Sequence, residues 1–219
     1  MAFLARSGIT EQPRTCADRD RTPREASIVY ALTMTSADLR QHYLEEVFRQ
    51  FRGYKRLGEG AIVQLKDEEL FATLDAESNS VAILMKHIAG NLRSRFTDFL
   101  TSDGEKPDRH RDQEFEMTPA TTRAEIMRRW EQSWEILFSI IQSLSPDDLE
   151  RTVTIRGEPH TVLQALNRAL AHHASHIGQI IFLAKHIRST EWKTLSVPRG
   201  KSEEANANMR AKFEKVGGT

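Results

Sequence analysis

Three histidines have the type and spacing for metal chemistry. His172 and His176 lie four residues apart in a segment with helical periodicity. On an α-helix such residues stack one above the other, with Cβ atoms about 5–6 Å apart. Two imidazoles at that separation can share one divalent ion. His173 falls near the centre of the same apolar arc and, three residues from His176, is a rival ligand. A third nitrogen is available from His87, which heads the polar row His87, Asn91, Arg95 beside the apolar stripe of an earlier helix. Three protein ligands and an open fourth position are the pattern of a catalytic metal site. The run His172-His173-Ala174-Ser175-His176 has a second His where a zinc protease carries its glutamate base, so it is not that type of site. Arg168 lies one turn before His172 on nearly the same line and, with Arg95, suits an anionic group. Asn91 and Gln179 are candidates to orient the ligands or water. The plainest alternative is a bundle with core histidines and no ion.

The elements that must position these residues are helices. Apolar residues recur at three- and four-residue steps from Tyr43 through Val47, Phe51 and Tyr54 to Ile62 and Leu65, with Ser36 as the expected N-cap. Gly58 and Gly60 leave that helix's length open. A second stripe holds Val81, Leu84, Ile88, Leu92, Phe96 and Phe99, opened by Ser78-Asn79-Ser80. A third begins at the capping box Thr122–Glu125, carries Ile126, Trp130, Trp134, Leu137, Ile141 and Leu144, and stops at Ser145-Pro146. Val153–Ile155 with Gly157 and Pro159 reads as a short extended piece and a turn. A fourth helix covers about residues 161–187. Between the second and third helices, residues 101–120 form a long polar link with six acids and three bases. A link of that length permits a crossover, and its Arg109, Arg111, Asp112 and Glu114 are placed to cover a site. Four amphipathic helices imply an all-α four-helix bundle.

Composition narrows the function. The 219 residues carry 31 basic and 31 acidic side chains, so the formal charge is zero. Bulk nucleic-acid binding needs an excess of Lys and Arg. The single Cys, Cys16, excludes a cysteine-based zinc cluster. Any metal must therefore be held by the eight His or by carboxylates. No apolar run reaches the roughly 20 residues of a membrane span. Residues 1–33, with five Arg, four acids and two Pro, read as a disordered extension, with Met34 as an alternative start; residues 34–219 form the domain. A cytoplasmic protein is expected. His42, His110, His160 and His186 have no comparable setting, and Trp130 and Trp134 read as core.

KHIAGN around His87, with His172-x-x-x-His176 followed by Ile177-Gly178-Gln179, resembles the DinB-like superfamily. The stretches HIAGNLRSRFTDFLTSDGEKP, TIRGEPHTVLQALNR and WKTLSVPRGKS are similar to one of its uncharacterised bacterial subfamilies, a domain of unknown function, over about residues 34–210. The resemblance implies a four-helix bundle, a homodimer, and a divalent ion, zinc or nickel, on His87, His172 and His176 rather than His173. It also implies S-transferase chemistry with a low-molecular-weight thiol; an ion with an open position would alternatively activate a water for hydrolysis. The alternative is a non-catalytic, metal-stabilised dimeric binding protein. Ile177 departs from the superfamily pattern, which often has a basic residue there. Neither nucleic acid nor membrane is an expected partner.

Overall fold

The computed structural model describes residues 35–216 and is mostly helical. The 1–33 extension and the start at Met34 lie outside the described residues. Among the described residues, six α-helices and one hairpin follow in the order α1 (Ser36–Ile62), α2 (Asp67–Phe71), α3 (Val81–Phe96), α4 (Arg123–Ser143), β1 (Thr152–Ile155), β2 (Glu158–Thr161), α5 (Val162–Arg188) and α6 (Ser202–Val216). Single 3₁₀ turns occupy Arg111–Phe115, Pro146–Glu150 and Ser189–Glu191. Among the described residues, no helix is long and apolar enough to cross a membrane.

The four long helices form where periodicity and caps agree. Thr122, Ser80 and Thr161 cap α4, α3 and α5, each accepting a backbone N–H with its hydroxyl. The cap of α1 is Thr35 rather than Ser36, because Asp38 returns a bond to the Thr35 backbone and completes a capping box. Gly58 and Gly60 do not break α1. A Cβ at Gly58 would lie 2.9 Å from Ile177 Cδ1 and 3.4 Å from Trp130, so the glycine lets α1 approach α4 and α5 closely.

Helix α1 packs against α5 and α3 against α4, with further contacts between α3 and α5 and between α1 and α4. The apolar stripes meet in one core around Phe51, Leu84, Ile88, Leu92, Trp130, Trp134, Leu166 and Ile180, all buried. The long link between α3 and α4 returns the chain to a neighbouring position, so it makes no diagonal crossover. Three elements carry no expectation from the sequence: α2, the second hairpin strand, and α6. Strands β1 and β2 pair antiparallel with Ile155 opposite Glu158. Their turn places Arg156 at φ 58° and Gly157 at φ 77°, the left-handed pair a two-residue hairpin turn demands.

The link between α3 and α4 is tied down at both edges. Ser94 Oγ donates to the Gly104 carbonyl at 2.8 Å, and Arg95 donates to the same oxygen. The Gly104 N–H donates to Thr154 of β1 at 2.8 Å. Asp103 accepts backbone N–H groups from Arg156 and Gly157, each at 2.8 Å. Further along, Lys86 donates to the carbonyls of Gln113 and Glu116 at 2.6 and 2.7 Å. These bonds lay the link across the face of α3 that carries His87.

Candidate metal centre

Helices α3 and α5 bring His87, His172 and His176 together. One ring nitrogen from each lies within 4.8 Å of the others. Ring centroids are 4.5 Å apart for His172 and His176, 4.9 Å for His87 and His176, and 5.3 Å for His87 and His172. The three histidines could hold one metal ion. His173, next in chain to His172, turns the other way. It is fully buried against Phe51 and Trp134, with Nδ1 2.6 Å from the Ala169 carbonyl.

The donor set suits a divalent ion. Nδ1 of His87 bonds Glu114 Oε2 at 2.8 Å, and Nδ1 of His176 bonds Gln179 Oε1 at 2.8 Å. As each Nδ1–H donates to an oxygen, each Nε2 keeps its lone pair for an ion. The Nε2 of His172 is buried without a hydrogen-bond partner. Burial, reinforced by the neighbouring His173, His176 and His87, holds the His172 pKa down at about 3, so its ring is neutral at pH 7. Burial likewise lowers His176, against the opposing bond to Gln179. Neutral imidazoles are the ligand form.

Glu114 comes from the link and is 7 % exposed. Burial raises its pKa, but bonds from His87 and Arg109 outweigh that and leave it lowered. Arg109 grips the carboxylate with Nε at 2.8 Å and Nη2 at 3.0 Å. The bidentate pair fixes the carboxylate plane, and the carboxylate fixes the His87 ring. Phe115 packs on the other side of His87, centroids 5.0 Å apart, and carries the Arg111 guanidinium 5.1 Å from its own centroid.

The histidines line a cavity of about 450 Å³. Its apolar walls are Phe96, Phe99, Phe115, Ile155 and two alanines of α5. Asn91, Arg95 and Arg168 also line it. Arg95 is engaged by the Gly104 carbonyl and by Glu105 at 3.0 Å, so its guanidinium secures the link. Gln179 lies outside the lining, behind His176. His42, His110 and His186 are exposed, and His160 faces Glu158 at 3.4 Å. Arg109, Arg111, Asp112 and Glu114, expected together as a cover over the site, play different parts. The structure separates them: Glu114 and Arg109 buttress His87, Arg111 lines the cavity, and Asp112 is exposed.

Two further contributors, Phe115 and Gly90, had no assigned part. A Cβ on Gly90 would lie 2.7 Å from Glu114 Cδ, so the bare helix face at Gly90 is the seat of the carboxylate. The signal was a glycine three residues after a polar-row histidine, inside a helix that otherwise favours larger residues.

No curated protein and no solved structure matches the chain significantly. A family model described as "Protein of unknown function (DUF1572)" matches residues 38–201, a stretch that includes His87, Glu114, His172 and His176. The match covers about three quarters of the sequence, and the chain belongs to the DUF1572 family.

Proposed function

We propose that this protein is a metal-dependent enzyme that activates a thiol or a water for transfer or hydrolysis, built on a four-helix bundle of the DinB-like type. The pairwise packing of α1, α3, α4 and α5 supports that architecture. The observation that carries the function is the His87, His172, His176 cluster, buttressed through His87 and His176 and opening into a cavity. A purely structural site closes its coordination with protein ligands, whereas three ligands beside a cavity leave room for a reactant.

His87, His172 and His176 would hold zinc or nickel. When bound, the ion supplies Lewis acidity, which lowers the pKa of a thiol or water at the open position. The remaining contributions belong to the chain. Glu114 and Gln179 keep two rings in the ligating tautomer. Phe96, Phe99 and Phe115 restrict water and offer apolar contact to a substrate body. Asn91, buried at the cavity wall, is placed to orient a polar substrate group.

A thiol screen tests the reading. Protein loaded with zinc or nickel is incubated with glutathione, cysteine, mycothiol or bacillithiol and an alkyl halide. The thiol sulfur forms the new C–S bond as halide leaves, and the thiol proton passes to solvent. Thioether formation that disappears in His176→Ala supports transfer. Failure with every thiol, together with failure to hydrolyse simple esters and amides, contradicts catalysis and favours the non-catalytic metal-binding alternative.

A further inference from the structure

Five arginines, Arg95, Arg109, Arg111, Arg156 and Arg168, line the cavity, and no acidic residue does. Three of them share acids just behind the wall. Glu105 pairs with Arg95 at 3.0 Å, with Arg156 at 2.9 Å and with Arg109 at 3.5 Å, and Glu114 takes the other side of Arg109. The nearby Asp103 is occupied by backbone N–H groups of Glu105, Arg156 and Gly157. Two arginines remain. Arg111 has only a 4.0 Å approach to the exposed Asp112, and its guanidinium lies over Phe115. Among the described residues, the Arg168 guanidinium has neither a hydrogen bond nor an ion pair.

A surplus of positive charge in a concave wall concentrates field on anions. Guanidinium matches a planar or tetrahedral oxyanion with paired N–H donors. Phe96 and Phe99 supply apolar surface in the same cavity. We propose that the ligand of this cavity is a small organic anion, an apolar body carrying a carboxylate or phosphate group, whose charge is held by Arg168 and Arg111. This deepens the reading of the cavity as the substrate site. Arg168 also sets a ruler. It precedes His172 by one helical turn and His176 by two, a rise of about 6 and about 12 Å along α5. The anionic group is therefore held on the N-terminal side of the histidine pair along α5, and the rest of the ligand extends through the cavity towards the histidines.

Titration calorimetry on the full chain, treated with chelator, separates this proposal from the metal reading, because it needs neither ion nor turnover. The probes are phenylacetate, phenyl phosphate and the uncharged 2-phenylethanol. At least one anion is expected to bind about tenfold or more tightly than the alcohol. A preference for phenylacetate assigns a carboxylate, and a preference for phenyl phosphate assigns a phosphate. Arg168→Gln and Arg111→Gln should each weaken the preferred anion by about tenfold and leave the alcohol unchanged. Both side chains are exposed enough to be replaced without unfolding the chain, and Arg49→Gln, remote on α1, should change nothing. The proposal is overturned if neither anion binds at millimolar concentration, if the alcohol binds as tightly, or if both arginine variants bind the anion like the parent.

Discussion

His87 Nδ1 and Glu114 Oε2 lie 2.8 Å apart, although 27 residues separate them in the chain. The link that carries Glu114 is held against α3 by Lys86, Ser94 and Arg95, so the contact is built from the same helix that carries His87. It makes Glu114 a positioning residue: it fixes the ring that would ligate the ion. Glu114→Gln keeps an acceptor but loses the charge. It should lower zinc affinity by about 10–100-fold while leaving the far-ultraviolet dichroism intact. Zinc titration against a fluorescent competitor reads the effect. An unchanged affinity would assign Glu114 to the fold alone.

Two helical glycines should respond in opposite ways to alanine. At Gly90 the added methyl would press on Glu114 Cδ at 2.7 Å, whereas at Gly178 nothing lies within 4 Å. Gly178→Ala should raise Tm by roughly 1–4 °C, the gain from removing an exposed glycine inside a helix. Gly90→Ala should push the carboxylate off His87 and weaken zinc binding by about tenfold or more. Equal behaviour of the two variants would refute the seat assigned to Gly90.

Acid should loosen the hairpin through Asp103. The backbone N–H of Glu105, followed by those of Gly157 and Arg156, holds the Asp103 pKa well below its ordinary 3.8. A carboxylate depressed in the folded state contributes stability that is fully present above its unfolded pKa. That contribution is lost as pH falls below it towards the folded value. Asp103→Asn should therefore lower Tm at pH 7 and flatten the acid-induced fall of Tm between about pH 5 and pH 2. The side chain is largely solvent-screened, so the effect is modest. Parallel Tm curves for parent and variant would contradict this.

The parts of the fold legible in the sequence are those with strong local signals. The stripes Val81–Phe96 and Ile126–Ile141 repeat at helical spacing and are buried as a result. His172 and His176 are four apart on one helix, so their stacking follows from geometry, but spacing alone left His173 as a rival, and it is the structure that turns its ring to Phe51 and Trp134. Glu114 and Arg109 were not separable from their exposed neighbours, because the link is tied down by scattered single bonds from side chains and backbone, which leave no periodic trace. Strand β2, Glu158–Thr161, contains Pro159 and no apolar alternation, and it forms because β1 supplies a partner. Helix α6 exposes Met209 and Phe213 and lacks a dominant buried stripe. The long link offered a crossover, but the strong mutual packing of α3 and α4 places them side by side.

The central claim is that His87, His172 and His176 bind one ion. Metal analysis by inductively coupled plasma mass spectrometry, on full-length protein purified without an affinity tag and supplemented with zinc or nickel, tests it most directly. About one ion per chain is expected, as for a single three-nitrogen site. The ion should be sharply lost in His87→Ala, His172→Ala and His176→Ala, and retained in His173→Phe, because the His173 ring faces the core. Absence of stoichiometric metal after supplementation, or loss in His173→Phe with retention in His172→Ala, would contradict it.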